Sequence, residues 1–169
     1  MEPMEQSSNL PRLSWTEADS ARRGTLTYTL SESSFNFQPA SDPFRQPLQA
    51  DTASISLRTL QIEVSITTRE LLYVWGFFPN TSWKPHAIIL PTFRKGHISL
   101  LGETPKLQRG VALSYKPAES WVAIFDDKIG WIRFGNDSSD AIEFAEGTAL
   151  SIEGELITSI WLHPTILER

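Results

Sequence analysis

Aromatic side chains close to the ends of apolar runs are the residues of this chain best suited to hold a ligand. Tryptophan and tyrosine combine a large flat face with a polar group, so sugars stack on them and apolar ligands are enclosed by them. Trp83 and Trp131 are the strongest candidates because each directly follows a turn signal. The competing interpretation places each ring in the hydrophobic core. The candidate ligand-binding residues are Trp83, Trp131, Tyr73, Trp75 and Tyr115.

Metal ligands are sparse and poorly spaced in this sequence. Its three histidines, His86, His97 and His163, lie far apart in the chain and form no closely spaced pair, whereas a zinc site needs three or four convergent ligands. The loop 135–140 offers several oxygen ligands for calcium, next to Asp126 if the hairpin brings them close, but Asn, Asp and Ser are also ordinary turn residues. We therefore predict no metal site and no cofactor.

Catalytic motifs are equally absent from the sequence. No nucleophile elbow and no phosphate-binding glycine loop is present. The carboxylates within strand patterns are Glu63, Glu70 and Glu143. A facing pair of Glu63 and Glu143 would suit glycoside hydrolysis, but each lies between two apolar residues and is expected to face water. We predict no catalytic residue and rank a carboxylate-based hydrolase third among the possible functions.

Composition excludes several classes of protein. The chain of 169 residues has no cysteine, so disulfides, thiolate catalysis and Cys-based metal sites are impossible. The net charge is −5 and no basic cluster exists, which argues against nucleic-acid binding. No apolar stretch approaches the length of a membrane helix, and residues 1–13 lack the features of a secretory signal. We expect a soluble, cytoplasmic protein.

The elements that position these side chains are short apolar runs separated by Gly, Pro, Asn and Asp. About ten such runs follow one another at intervals of 8–12 residues, with no convincing internal helix. This pattern predicts an all-β fold, a β-sandwich or a closed β-barrel with mostly antiparallel strands. The predicted strands are 23–30, 55–66 with a bulge or break within it, 69–78, 83–90, 97–101, 110–115, 121–125, 131–134, 141–145, 148–152 and 156–162.

Four local signals refine this prediction. The apolar alternation changes phase between Leu57 and Leu60, which requires a bulge or a break near Arg58-Thr59. Residues 126–130 form a hairpin signal, with Gly130 available for a positive φ. Residues 153–155 predict a second tight turn. Residues 69–78 are apolar on both faces and predict a central strand.

Two domain segments are expected. Residues 1–22 form a polar N-terminal segment in which Ser14 could cap a short helix, and residues 23–169 form a single all-β domain. Within that domain, residues 31–50 contain three prolines together with Phe35, Phe37 and Phe44. Because these prolines forbid a helix and a central strand, the segment is predicted to be a loop that covers the sheet.

The sequence leaves three functions open. The favoured hypothesis is a non-enzymatic binding protein that holds a small apolar or carbohydrate-like ligand in an aromatic-lined site of the barrel or sandwich. The second is a protein–protein interaction module or homo-oligomer, in which the same aromatic residues anchor an interface. The third is the hydrolase. A deep aromatic pocket would favour the first, a flat apolar patch the second, and two convergent carboxylates the third.

Overall fold

The computed structural model describes residues 10–40, 51–103, 105–117 and 119–168, and these residues form strands joined by turns, one 3₁₀ turn and no α-helix. The strands are β1 Leu13–Glu17, β2 Gly24–Thr29, β3 Ser34–Pro39, β4 Thr52–Leu57, β5 Leu60–Ser65, β6 Leu71–Phe77, β7 Lys84–Pro85, β8 Thr92–Leu100, β9 Ala112–Tyr115, β10 Ala123–Asp126, β11 Trp131–Gly135, β12 Asp140–Ala145, β13 Thr148–Glu153, β14 Leu156–Leu162 and β15 Thr165–Leu167. The 3₁₀ turn is Asn80–Ser82. The predicted all-β class is confirmed.

Two mixed sheets pack face to face as a sandwich. Sheet 1 has the strand order β1-β8-β12-β13-β14-β11-β10-β7, and sheet 2 has the order β15-β2-β3-β6-β5-β4-β9. The sheets do not close into a barrel, so the sandwich is the correct one of the two predicted architectures. Most neighbouring strands are antiparallel; the parallel pairs are β7–β10, β8–β12, β2–β15 and β4–β9. The central strand predicted over 69–78 is β6, the middle strand of sheet 2.

The core lies between the sheets and follows directly from alternation. In β4 and β5 every second residue is apolar and buried, which places Ile55, Leu57, Leu60 and Ile62 inside. The predicted change of phase occurs in a two-residue turn, Arg58-Thr59, that joins β4 to β5 with Leu57 opposite Leu60. This turn is the break in the strand that the change of phase predicts.

Both predicted tight turns are present. The strands β10 and β11 form an antiparallel hairpin, and Gly130 in its turn has a φ of +76°. The strands β13 and β14 are joined at Gly154 and Glu155, both of which have positive φ. These two turns form from local sequence alone because their strands are adjacent in the chain.

The N-terminal segment differs from its prediction. The helix expected to begin at Ser14 does not form, and β1 lies there instead, paired with β8 along the edge of sheet 1. Leu13 is buried in the core cluster and Trp15 packs against it. Pairing with β8 satisfies the backbone groups of both strands, a gain from a distant segment that outweighs a weak capping signal.

The covering loop was expected over 31–50, and the described part of it, residues 31–40, differs from that expectation. Residues Ser34–Pro39 form β3, whose Phe35 and Phe37 face the core between the sheets. Pro39 ends that strand, so no proline interrupts it. Phe44 lies outside the described residues.

The segment predicted as a strand over 83–90 is mostly irregular. Only Lys84–Pro85 pairs with β10, and residues 86–91, which we call the strap, then lead from one edge of sheet 1 to β8. Six strand spacings separate β7 from β8 in the sheet, roughly 29 Å for a flat sheet. The chain from Pro85 to Thr92 reaches roughly 25 Å at most. Because the connection is shorter than the width of a flat sheet, sheet 1 is curved between β7 and β8.

Candidate functional site

Trp83, the first candidate from the sequence, packs against the core cluster. Its ring contacts those of Tyr28, Phe35, Phe78 and Phe125 at centroid distances of 4.7 to 6.4 Å. Its indole Nε1 is buried and has no hydrogen-bond partner among the described residues. These contacts use the ring surface that a ligand would need, so ligand binding by Trp83 stays a prediction that its packing does not favour.

Tyr115 also belongs to the core. Its ring is buried, and its hydroxyl donates a hydrogen bond to the carbonyl oxygen of Ile157 at 3.1 Å. Burial raises the pKa of Tyr115, and the hydrogen bond to Ile157 partly opposes that shift. The side chain links β9 in sheet 2 to β14 in sheet 1, which is a stabilising role.

Trp131 lies on the outer face of sheet 1 in a second apolar cluster. It stacks on Phe93 and on His163 with centroid distances of 4.8 and 4.7 Å. The strap covers this cluster by inserting Ile88 beside the buried Trp161. The backbone N–H of Ile88 donates to Asp126 Oδ2 at 2.9 Å. Trp131 is thus partly buried under its own neighbours.

The outer face of sheet 2 has a different chemistry. In six of its strands, the positions that alternate with buried residues carry hydroxyl, amide and aromatic groups, one carboxylate and one alanine, but no lysine or arginine. We call this surface the polar face. Its residues are Thr25, Thr27 and Thr29 in β2, Ser34, Asn36 and Gln38 in β3, Tyr73, Trp75 and Phe77 in β6, Gln61, Glu63 and Ser65 in β5, Thr52, Ser54 and Ser56 in β4, and Ala112 and Ser114 in β9.

Trp75 stands at the centre of the polar face and is held in place. Its side chain is 41% exposed, and its indole Nε1 donates to Glu63 Oε1 at 2.8 Å. The other carboxylate oxygen of Glu63 accepts from the hydroxyl of Thr52 at 2.6 Å. The next residue of β6 on the same face, Phe77, is 52% exposed. An indole fixed by a carboxylate is a preorganised surface for stacking.

Tyr73 lies next to this group but is less accessible. It is opposite Glu63 in the strand register, and its ring stacks on Phe37 at 5.5 Å. Burial raises its pKa most, the negative charge of Glu63 raises it further, and Arg22 opposes both. The phenol therefore stays neutral, and its ring packs against the core cluster.

The carboxylates considered for catalysis do not converge. Glu63 is in sheet 2, whereas Glu143 is in sheet 1 and accepts a hydrogen bond from the backbone N–H of Gly147 at 3.1 Å. A different contact, absent from the sequence prediction, joins Glu70 to His97 Nδ1 at 2.9 Å. His97 is exposed there and no second catalytic group contacts it in the described part of the chain.

Metal ligation finds no support within the described ranges, where no group of three or more His, Asp and Glu side chains is arranged to hold an ion. The calcium alternative had depended on Asp126 lying near the loop 135–140. The hairpin register places Asp126 opposite Trp131 and Ala123 opposite Phe134, so Asp126 and that loop are at opposite ends of β11.

The chain matches no known family, and no curated protein is similar to it. Among the described residues no helix has the length and apolar character required to span a membrane.

Sequence reasoning named Trp75 and Tyr73 but missed the polar groups around them. The missing signal was present in the printed strands: Thr52, Ser54 and Ser56 alternate with apolar residues, as do Gln61 and Glu63. Read together, those alternations predict a surface of hydroxyl and amide groups with one carboxylate. What they do not reveal is that these strands are neighbours of β6.

Proposed function

We propose that this protein is a non-enzymatic binding protein that holds a neutral carbohydrate on its polar face, with Trp75 as the stacking surface. The observation that carries the proposal is the exposed indole of Trp75, fixed by Glu63 and surrounded by uncharged hydroxyl and amide groups. A sugar presents an apolar ring face and a rim of hydroxyl groups. The polar face offers a complementary group for each of these.

The charge of the polar face supports a neutral ligand. Its described positions include one carboxylate and no cationic side chain, although 21% of the whole chain is charged. Phosphate-bearing ligands and nucleic acids are bound chiefly through lysine and arginine, so this surface disfavours them. Glu63 uses both carboxylate oxygens within the protein and retains lone pairs that can accept from a sugar hydroxyl.

An apolar ligand held inside the sandwich has less support. The space between the sheets is occupied by large buried side chains, including Tyr28, Phe134 and Leu150. Trp83 and Tyr115, two of the candidates, are part of that packing. The proposal therefore keeps the carbohydrate-like ligand and moves its site from the interior to an open face.

A protein–protein module is the second candidate, and one feature of sheet 1 favours it. Ile89 in the strap is 87% exposed and its neighbour Leu90 is 39% exposed, next to Pro91. Exposed apolar residues of this kind often mark interfaces. Homo-oligomerisation through the strap would make Ile89 a contact residue. We also keep a cytoplasmic location as a proposal, supported by the absence of cysteine.

The decisive experiment is a binding screen of the purified protein against an array of neutral glycans. The wild type is compared with Trp75→Ala and with Ile89→Ala, a control that removes an exposed apolar side chain from the other sheet. We expect glycan binding by the wild type and by Ile89→Ala, and its loss in Trp75→Ala. Equal binding by all three would place the site elsewhere. No binding by the wild type, with dimers that Ile89→Ala disrupts, would replace the proposal by the second candidate.

A further inference from the structure

The polar face contains a straight row of side chains that leads away from Trp75. Trp75 is opposite Gln61 in the register of β6 and β5, Gln61 is opposite Ser56 in β4, and Ser56 is opposite Ser114 in β9. We call Trp75, Gln61, Ser56 and Ser114 the cross-strand row. The row runs at right angles to the strands and ends at β9, the edge of sheet 2.

Hydrogen bonds already order part of this row. The hydroxyl of Ser56 donates to Gln61 Oε1 at 2.9 Å, and Gln61 Nε2 donates to the carbonyl oxygen of Thr59 at 3.2 Å. The amide of Gln61 keeps a second N–H, and the hydroxyl of Ser56 keeps its lone pairs. Ser114 is exposed. The row can thus donate to and accept from a ligand without giving up its internal bonds.

The orientation of the indole selects the direction of the ligand. Because Trp75 Nε1 reaches Glu63 on β5, the ring leans from β6 toward β5, the side on which the cross-strand row continues. The alternative path runs along β6 through Tyr73, Trp75 and Phe77. That path is less favourable because Tyr73 is partly buried against Phe37, and because the backbone at Gly76, with a φ of +114°, departs from regular strand geometry just before Phe77.

The length of the row sets the size of the ligand. Three strand spacings separate Trp75 from Ser114, about 14 Å in a regular sheet. One sugar unit of an extended glycan is about as long as one strand spacing. We infer that the ligand is an unbranched neutral oligosaccharide of at least three units that lies across the strands, with one ring on Trp75 and the others over the cross-strand row. This inference rests on the proposed function.

The test measures affinity as a function of chain length. The probes are unbranched oligomers of β-1,4-linked glucose, β-1,4-linked xylose and α-1,4-linked glucose, each from one to six units, titrated calorimetrically into the full chain. For at least one series we expect affinity to rise tenfold or more between one and three units and to level off by four. A single unit that binds as tightly as six would overturn the row while leaving the Trp75 site intact.

Three variants test the direction of the ligand. Ser114→Ala removes a hydroxyl at the far end of the row, and Ser34→Ala removes a matched hydroxyl from the same face on the other side of β6. We expect Ser114→Ala to weaken binding of three-unit and longer probes about three- to tenfold without affecting one unit, and Ser34→Ala to change neither. If Phe77→Ala weakens binding and Ser114→Ala does not, the ligand runs along β6. Failure of every probe at every length would refute the proposed function itself.

Discussion

Trp75 and Glu63, on neighbouring strands of sheet 2, form a hydrogen bond of 2.8 Å between the indole Nε1 and a carboxylate oxygen on the outer face of the sandwich. Glu63 is fixed in turn by the hydroxyl of Thr52. An exposed indole normally samples several rotamers, and binding would then cost the entropy of ordering it. The carboxylate removes part of that cost before any ligand arrives.

Removing the carboxylate should loosen the indole without unfolding the protein. In Glu63→Ala we expect the indole N–H resonance of Trp75 to shift toward its solvent-exposed position and to exchange faster with water. Because the pair is on the surface, the free energy of unfolding should fall by less than about 1 kcal/mol. NMR of the labelled indoles and urea denaturation measure the two effects. Glu143→Ala is the matched control, and an unchanged Trp75 resonance in Glu63→Ala would contradict the hydrogen bond.

Two tryptophans, Trp161 and the partly buried Trp83, should respond differently to substitution by phenylalanine. Trp161 Nε1 donates to Ser151 Oγ at 2.9 Å, whereas Trp83 Nε1 is buried without a partner in the described part of the chain. Trp161→Phe removes one of the two hydrogen bonds of the Ser151 hydroxyl, which still donates to the carbonyl oxygen of Asp140 at 2.7 Å, while Trp83→Phe removes an unsatisfied donor. We expect Trp161→Phe to cost about 1 kcal/mol more in urea denaturation. Equal costs would mean that the indole N–H of Trp83 finds a partner in solution.

Two glycines with positive φ provide a test of close packing. A Cβ on Gly135, whose φ is +120°, would lie 2.5 Å from the carbonyl oxygen of Thr158. Gly154 has a φ of +57° and no atom within 4 Å of the same position. Strain alone should make Gly154→Ala cost about 1 kcal/mol. Strain and steric overlap together should make Gly135→Ala cost more than about 3 kcal/mol. Thermal unfolding of both variants measures these losses of stability. Comparable losses would show that β14 can move away from the added methyl group.

Acid should weaken the attachment of the strap. The hydrogen bond from the backbone N–H of Ile88 is the main cause that lowers the pKa of Asp126 below its usual value of 3.8, with further hydrogen bonds from Lys128 and Ile129. A lowered pKa contributes stability that is present above 3.8 and is lost as the pH falls through the lower value of the folded state. In Asp126→Asn we expect lower stability at pH 7 and a shallower loss between pH 4 and pH 2.

Urea midpoints across that pH range measure this contribution of Asp126. Asp127→Asn removes the same charge from an exposed neighbour and should change the unfolding free energy at pH 7 by no more than about 0.5 kcal/mol. If Asp126→Asn and the wild type lose stability in parallel over the whole acid range, the strap is not held through this carboxylate.

Much of the fold could be predicted because its signals are local. The alternation of Ile55 to Val64, the phase change at Arg58-Thr59 and the turn at Gly130 each depend on residues close together in the chain. Three predicted elements were wrong: the helix at Ser14, the loop at Phe35 and the strand over 83–90. The first two have non-local causes. Ser14 lies in β1, which forms by pairing with β8 at the edge of sheet 1. Phe35 lies in β3, which forms by pairing with β2 on one side and β6 on the other.

The candidate site could be predicted only in part. The sequence by itself determined an all-β chain in which aromatic residues fall within strands, because the two-residue period of a strand is visible in any printed sequence. Only the tertiary structure decided which of those rings meet solvent. Trp83 is packed against the core between the sheets, Trp161 is covered by the strap, and Trp75 faces outward from the middle of sheet 2. Whether a ring is exposed depends on which distant segment covers that face of the sheet. This cannot be predicted from the residues next to the ring in the sequence.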